Sequence, residues 1–192
     1  MTAMHAQLTR KEQSHARIVE VASRAIRRAG YRGVGVADIM KEAGLTHGGF
    51  YAHFASRDAL LVQAMQHASG DNEAALLEAM ARLIAKGHTR FSALVLAYLH
   101  DSHLQRAENG CVVAALASEM ARQGDAVQEE AQRRVKHLVK FVRSTLPEST
   151  KPEEAEAITA TLVGALQLAR TLGGKAGNTL LAHTRKALLA NQ

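Results

Sequence analysis

The chain has 192 residues, of which 47% are hydrophobic and 22% charged, and these proportions are typical of a globular protein with a packed core. Its longest uninterrupted apolar runs have seven residues, which excludes a membrane-spanning helix because such a helix needs roughly 18. A single cysteine excludes an intramolecular disulfide, and no apolar segment of signal-peptide length precedes Arg10. We therefore expect a soluble, cytoplasmic protein with no membrane partner.

The formal net charge of +6 is concentrated near the N-terminus. Residues 1–60 hold nine Lys and Arg against five Asp and Glu, whereas the other 132 residues hold fifteen against thirteen. A basic excess suits a polyanion such as DNA, although solubility alone would also explain it. The uneven distribution favours a nucleic-acid-binding segment at the N-terminal end.

The sequence predicts an all-α fold, because prolines occur only at positions 147 and 152 and no segment alternates polar and apolar residues. A capping box of Thr9 and Glu12 begins the first helix, and Gly30 ends it. Ser56 begins a helix that leads away from the N-terminal segment, and Gly70 is expected to break it. Further helix starts are predicted at Thr89, Cys111, Asp125 (capped together with Gln128) and Asn178.

Residues 39–54 have the pattern of a helix-turn-helix, the motif that places its second helix in the DNA major groove. Apolar Ile39, Met40 and Ala43 form one face of a short helix, and Gly44 follows as a left-handed cap. Thr46 can cap the second helix through its hydroxyl. Phe50 and Phe54, four residues apart, are the expected buried anchor of that second helix.

The segment 13–61 resembles the N-terminal DNA-binding domain of the TetR/AcrR family of bacterial regulators. The matching positions are Ile26, Gly30, Tyr31, Ile39, the residues 43–46, the residues 50–54 and the residues 56–61. The resemblance covers about a quarter of the chain. It implies a three-helix DNA-binding domain over 1–58 and a larger helical domain for effector binding and dimerisation over 59–192.

The resemblance implies DNA contacts on the second helix of the motif and just after it. By position, His47, Gly48 and Gly49 would face base edges, where an imidazole can donate or accept and glycines let the backbone approach closely. The implied contacts to the phosphate backbone are Tyr51, His53 and Arg57, with Thr46 as a further one. The plainer interpretation of His47 and His53 is that both are simply exposed polar residues.

Two positions depart from the family pattern. Gly35 stands where the family usually has threonine or serine, so the cap geometry is permitted but no hydroxyl is available to a phosphate. Arg57 stands where the family usually has lysine, which keeps the charge and adds forked donors.

The two C-terminal apolar stripes, within residues 153–190, resemble the family's pair of dimer helices. The small residues Ala165 and Ala169 would let helices approach closely, and two helices from each subunit would form a four-helix bundle. A homodimer implies a palindromic operator. The alternative is that these helices belong to the core of one chain.

An effector pocket is expected between residues 60 and 145. The candidate lining residues are Met65, Met80, Phe91, Tyr98, Met120, His137 and Phe141. Each of these side chains also suits the plain core of a helical domain, and only the group favours a small apolar effector. The basic residues 133, 134, 136, 140 and 143 form one face of a helix, which suits a solvated surface or a second nucleic-acid surface.

Cys111 follows Gly110 at a predicted helix start, where the helix dipole favours a thiolate. It is therefore a candidate sensor of oxidants or electrophiles, as in some members of the family, or else a small buried residue at a corner. His100 and His103 share a helical face, but no third metal ligand is identifiable nearby, so neither a metal nor a cofactor is predicted.

The leading hypothesis is a ligand-responsive, homodimeric transcriptional repressor that is not an enzyme. An all-α enzyme using Cys111 or the histidine pair would need a nucleophile–base pair, a phosphate loop or a complete ligand set, and none is recognisable. The other alternative is an all-α ligand-binding or interaction protein without DNA affinity, which is suggested by Gly35 and by the glycine-rich second helix.

Overall fold

The structure, a computed structural model, describes residues 9–190, so the outermost ends of both predicted domains lie outside the described part. Within 9–190 the chain is helical and has no strand, which confirms the predicted fold class. The α-helices are α1 (Arg10–Ala29), α2 (Val36–Glu42), α3 (Arg57–Ile84), α4 (Arg90–Tyr98), α5 (Asp101–Gln105), α6 (Val112–Met120), α7 (Asp125–Arg143), α8 (Pro152–Leu172) and α9 (Gly174–Leu189). Short 3-10 helices span His47–Ala52 and Ala107–Asn109.

Helix ends that depend on neighbouring residues form as predicted. The Thr9 hydroxyl accepts the Glu12 N–H at 3.2 Å, while the Glu12 carboxylate accepts the Thr9 N–H at 2.7 Å. Gly30 ends α1 with a φ of 76°, a conformation that disfavours any side chain. The Ser56 hydroxyl accepts the Ala59 N–H at 3.1 Å and begins α3.

The predicted break at Gly70 is wrong, because Gly70 lies inside α3, a helix of 28 residues. Gly70 keeps an ordinary φ, and nothing lies within 4 Å of the position that a Cβ would occupy. An interior glycine costs a helix about 1 kcal/mol relative to alanine. That cost is offset because α3 packs against α1, α4 and α7.

The predicted caps of α7 and α9 are also wrong. Helix α7 is capped by the backbone of Gly124, and the Gln128 amide instead donates to the carbonyls of Gln123 and Ala121, at 2.6 and 3.2 Å. Helix α9 begins at Gly174, so Asn178 lies inside it. Gly173 and Gly174 both have positive φ, which turns the chain within two residues and leaves no loop to be capped.

Helix α3 connects the N-terminal helices to the rest of the fold. It packs on α1 at one end and on α4 and α7 further along, and it runs unbroken across the predicted boundary at residue 58. Helices α8 and α9 pack on each other, with α6 and α7 against α8. Within residues 9–190 no helix is long and apolar enough to cross a bilayer.

Candidate nucleic-acid interface

A sharp corner joins α2 to the 3-10 helix His47–Ala52, which we call the recognition segment. Gly44 has a φ of 72° at this corner, and the Leu45 N–H returns to the Met40 carbonyl at 2.9 Å. The Thr46 hydroxyl makes no capping bond, contrary to expectation; the Thr46 carbonyl instead accepts the Gly49 N–H at 3.0 Å. The predicted second helix is therefore a six-residue 3-10 helix.

Two phenylalanines fix the recognition segment to the core. Phe50 and Phe54 are buried, as predicted, and their rings stack with centroids 5.5 Å apart. His15 of α1 stacks on Phe54 at 4.5 Å, and its Nε2 lies 2.7 Å from the Gln63 side-chain oxygen of α3. The recognition segment itself packs on α2, and Phe54 just after it connects it to α1 through His15.

The opposite face of the recognition segment is open. Thr46, His47 and Gly48 are exposed, and Tyr51 is 76% exposed although it is aromatic. The Tyr51 ring meets the edge of Phe50 at a centroid distance of 5.2 Å, so its position is set by the buried anchor. Four of the seven predicted DNA contacts are thus accessible. Their hydroxyl and imidazole groups can form hydrogen bonds with base edges and phosphates.

The glycines of the recognition segment differ in what the fold requires of them. Gly48 has an ordinary φ, and no atom lies within 4 Å of the position that a Cβ would occupy. A Cβ on Gly49 would meet the methyl carbon of Met40 and the Thr46 hydroxyl at 3.7 Å, an ordinary contact. Since the chain itself needs a glycine at neither place, close approach by an external partner is a reason for Gly48 to lack a side chain.

His53 and Arg57 are only half-exposed. Burial lowers the pKa of His53, and the neighbouring His15 and Lys11 lower it further, so the ring is neutral at pH 7 and can offer a hydrogen bond rather than a charge. The Arg57 guanidinium donates to the Tyr31 carbonyl and is therefore engaged inside the domain. Gly35 caps α2 through its backbone alone, with no side-chain bond.

Sequence reasoning missed Arg17, an exposed residue of α1. Its guanidinium lies beside the motif corner, since a Cβ on Gly44 would be 3.5 Å from its Nη2. The sequence pointed to Arg17 only through the basic excess of residues 1–60. Counting charges does not show which of these cations lies next to the corner.

The comparison with family models decides the identity of this domain. Residues 18–64 match the model of the bacterial regulatory proteins of the tetR family. Residues 18–64 therefore form a DNA-binding domain of the tetR family. The chain has the fold of a TetR-family transcriptional regulator, with this domain at its N-terminus.

Solved TetR-family structures share the whole fold. A TetR regulator from Chloroflexus aurantiacus J-10-FL is 25% identical, with 94% of each chain covered and a TM-score of 0.75. A TetR-family regulator from Agrobacterium tumefaciens is 23% identical (94% and 98% covered, TM-score 0.75). Another, from Cytophaga hutchinsonii, is 16% identical (96% and 98% covered, TM-score 0.77). A search of curated protein sequences finds no significant match.

The C-terminal half does not gather the predicted ligand residues into one cavity. Met65, Tyr98 and Met80 are buried in the core, and the Tyr31 hydroxyl donates to the Met65 sulfur at 2.7 Å. Phe91 lines a cleft of about 700 Å³ at the ends of α4, α7 and α8. Met120 lines a groove of about 330 Å³ between α6 and α7.

His137 and Phe141 line a much smaller cavity of about 30 Å³, which also reaches Cys111. His137 is otherwise exposed, and its Nε2 lies 2.6 Å from the Glu73 carboxylate. The basic face of α7 is partly engaged internally: the Nε atoms of Arg133 and Arg134 each lie 2.8 Å from the buried Glu130 carboxylate. This pairing favours a structural face over a second nucleic-acid surface.

The two halves of the molecule meet through polar contacts that the sequence did not indicate. The Glu119 carboxylate of α6 accepts the Tyr31 N–H at 3.1 Å, and the Tyr31 carbonyl accepts from Arg57 at the start of α3. The buried Arg27 of α1 donates to the Gly110 carbonyl at 3.0 Å. These contacts join residues that are 88, 26 and 83 positions apart, so no local pattern reveals them.

Cys111 is 4% exposed and caps α6 without a side-chain hydrogen bond. His100 and His103 use ring nitrogens for hydrogen bonds within the chain. The His100 Nδ1 accepts the Ser102 N–H, whereas the half-buried His103 is bonded to backbone on both ring nitrogens. Within residues 9–190 no group of three or more His, Cys, Asp or Glu is arranged to hold a metal ion.

Proposed function

We propose that this TetR-family chain is a homodimeric transcriptional repressor that binds a palindromic operator and leaves it when an effector arrives. The observation that carries the proposal is the open face of the recognition segment, where Thr46, His47, Gly48 and Tyr51 are accessible while Phe50 holds the segment to the core. We assign base edges to His47, Gly48 and Gly49 and phosphates to Thr46, Tyr51, His53 and Arg57. The protein acts in the cytoplasm and is not an enzyme.

Homodimerisation is supported by an uncovered apolar stripe on α8. Ala165 and Ala169, the small residues expected to let helices approach closely, are buried within the single chain and so do not belong to this stripe. Leu168 and Leu172 are instead 59% and 56% exposed. Together with Gly164, whose Cβ position has nothing within 4 Å, they lie four residues apart on one face. A second α8 would cover this stripe in the proposed four-helix bundle.

Effector response is supported by the contact chain from α6 to α3. The groove lined by Met120 adjoins Glu119, whose carboxylate holds Tyr31, and Tyr31 in turn holds Arg57. A small apolar effector that wedges apart α6 and α7 would shift Glu119 and re-aim α3. The repressor would then favour the state with lower DNA affinity. An oxidant or electrophile acting on Cys111 is the alternative effector.

Selection of random duplex DNA on the purified chain tests the proposal. The expected result is a palindromic motif whose binding weakens with added salt and in Tyr51→Phe, since Tyr51 is exposed and its hydroxyl has no structural role. Arg57→Ala is expected to weaken binding too, but it also removes an internal hydrogen bond. No enrichment at low salt would favour the alternative function, a helical ligand-binding protein without DNA affinity.

A further inference from the structure

A polar cluster lies where α4, α5, α6 and α8 meet, and we call it the Cys111 cluster. It consists of the buried Tyr98 and Cys111 and the half-buried His103 and Arg170. The His103 Nδ1 lies 2.7 Å from the Tyr98 carbonyl, and its Nε2 accepts the Cys111 N–H at 2.9 Å. This pairing places the ring proton on Nδ1 of a neutral imidazole. The Arg170 Nη2 donates to the His103 carbonyl at 3.0 Å.

Among residues 9–190, three donors of this cluster have no nitrogen or oxygen partner. They are the hydroxyl of the fully buried Tyr98, whose neighbour is the Cys111 thiol, and the Nε and Nη1 of Arg170. Buried polar groups are nearly always paired with nitrogen or oxygen, and an unpaired one destabilises the fold. Three such donors in one cluster therefore require an explanation.

The Cys111 thiol lies among these donors. Burial raises the pKa of Tyr98 well above its usual range, and the neighbouring thiol raises it further. Burial lowers the pKa of Arg170, while Tyr98 and Cys111 act in the opposite direction. A thiol sulfur accepts hydrogen bonds only weakly, so it leaves these donors poorly satisfied. An oxygen bonded to the sulfur would accept them well.

Access to the sulfur is limited to very small molecules. Cys111 is 4% exposed, and the cavity that reaches it, walled by Leu76, Val113 and Phe141, measures about 30 Å³. A water molecule occupies roughly 10–15 Å³ on this measure, so hydrogen peroxide fits and a bulky electrophile does not.

We propose that a hydroperoxide oxidises Cys111 to a sulfenic acid and that Tyr98 and Arg170 hold the new oxygen. The sulfur attacks one peroxide oxygen, an S–O bond forms and the O–O bond breaks. The thiol gives up two electrons and its proton, and hydrogen peroxide leaves one water molecule behind. The two donors stabilise the negative charge that develops on the oxygens during transfer.

The same cluster touches the DNA-binding half. Arg27 of α1 donates to the carbonyl of Gly110, the residue before Cys111. Gly110 is tightly packed, since a Cβ there would lie 2.6 Å from the His103 ring and 2.9 Å from the Arg170 Nη2. We expect an oxygen on the Cys111 sulfur to shift the adjoining Gly110 carbonyl and so to weaken the hold of Arg27 on α1. This consequence for the operator rests on the proposed function, whereas the oxidation chemistry does not.

The test treats the full chain with hydrogen peroxide, traps sulfenic acid with dimedone and follows the mass of the protein. Wild type is expected to form one adduct at Cys111. Tyr98→Phe and Arg170→Gln should lower the oxidation rate roughly tenfold each, which corresponds to about 1.4 kcal/mol. Tyr31→Phe, which removes a buried hydroxyl outside the cluster, should oxidise at the wild-type rate. For each reagent, the rate with Cys111 in the folded chain is divided by the rate with free cysteine. This ratio should be far smaller for N-ethylmaleimide than for hydrogen peroxide.

Two results would overturn the proposal. One is a Cys111 that stays unoxidised in the folded chain. The other is a wild-type oxidation rate in a Tyr98→Phe variant whose fold is confirmed by circular dichroism. This second result would count even if Arg170→Gln failed to fold. Duplex affinity measured on the oxidised sample should fall, and an unchanged affinity would refute the coupling to α1. A reduced chain that binds no duplex would instead refute the proposed function and leave the chemistry intact.

Discussion

At the scale of single residues, two glycines with an open Cβ position lie on surfaces that we propose for contact with a partner, and a third does not. Gly48, Gly70 and Gly164 all have ordinary φ and nothing within 4 Å of a Cβ. Each lowers helical stability by about 1 kcal/mol without serving the fold of the single chain. Gly48 lies on the proposed DNA surface and Gly164 on the proposed dimer surface, whereas Gly70 lies on the exposed side of α3 and serves as the internal control.

Gly48→Ala is expected to weaken operator binding by roughly tenfold or more, because a methyl group would keep the backbone from the base edges. Gly70→Ala should leave DNA affinity unchanged while raising thermal stability by about 1 kcal/mol. Fluorescence anisotropy with the selected duplex and thermal melting measure both quantities. Equal DNA affinity for the two variants would rule out a close backbone approach at Gly48.

His103 is expected to make the fold sensitive to acid. Burial lowers its pKa to about 4 from 6.5; the Tyr98 carbonyl partly opposes this, and Arg170 adds to the lowering. As the pH falls, the His103 ring takes up its proton in the unfolded chain before it does so in the folded chain. The free energy of unfolding is therefore at its full value above pH 6.5 and declines towards pH 4, by about 3 kcal/mol in all. Urea unfolding across this range should show a flatter profile in His103→Gln. The exposed His88→Gln should keep the wild-type slope; a wild-type slope in His103→Gln would contradict the assignment.

At the scale of elements, the sequence predicted what neighbouring residues determine. The capping box at Thr9, the left-handed Gly30 and Gly44 and the cap at Ser56 each depend on a few adjacent positions, and all of them form. The continuity of α3 through Gly70 depends on packing from α1, α4 and α7, which no local pattern contains. The register of the recognition segment was predictable from Phe50 and Phe54, but its 3-10 geometry was not.

The proposed dimer depends on the exposed stripe of α8. Replacing both Leu168 and Leu172 by lysine should yield monomers in sedimentation velocity, because each subunit would bring two unpaired charges into an apolar contact. Leu77→Lys is the matched control, since this leucine of α3 is also exposed but lies outside the stripe. A double variant that stays dimeric would place the interface elsewhere.

At the scale of the whole molecule, the C-terminal half was the least predictable part. Its predicted pocket residues other than His137 are apolar or aromatic, as core residues are, and the structure distributes them between the core and separate cavities. The contacts that join the halves involve Arg27 with Gly110 and Glu119 with Tyr31, pairs that are distant in sequence. The exposed face that we propose for DNA contact was predictable because one short segment forms most of it.

The central claim is that two copies of this chain recognise a symmetric duplex through their recognition segments. The most direct measurement is the sedimentation of the wild-type chain with three duplexes: the selected palindrome, one half-site alone and a scrambled sequence. We predict two chains on the palindrome, much weaker binding to the half-site and weak, salt-sensitive binding to the scrambled duplex. Equal affinity for all three duplexes, or one chain on the palindrome, would contradict the account.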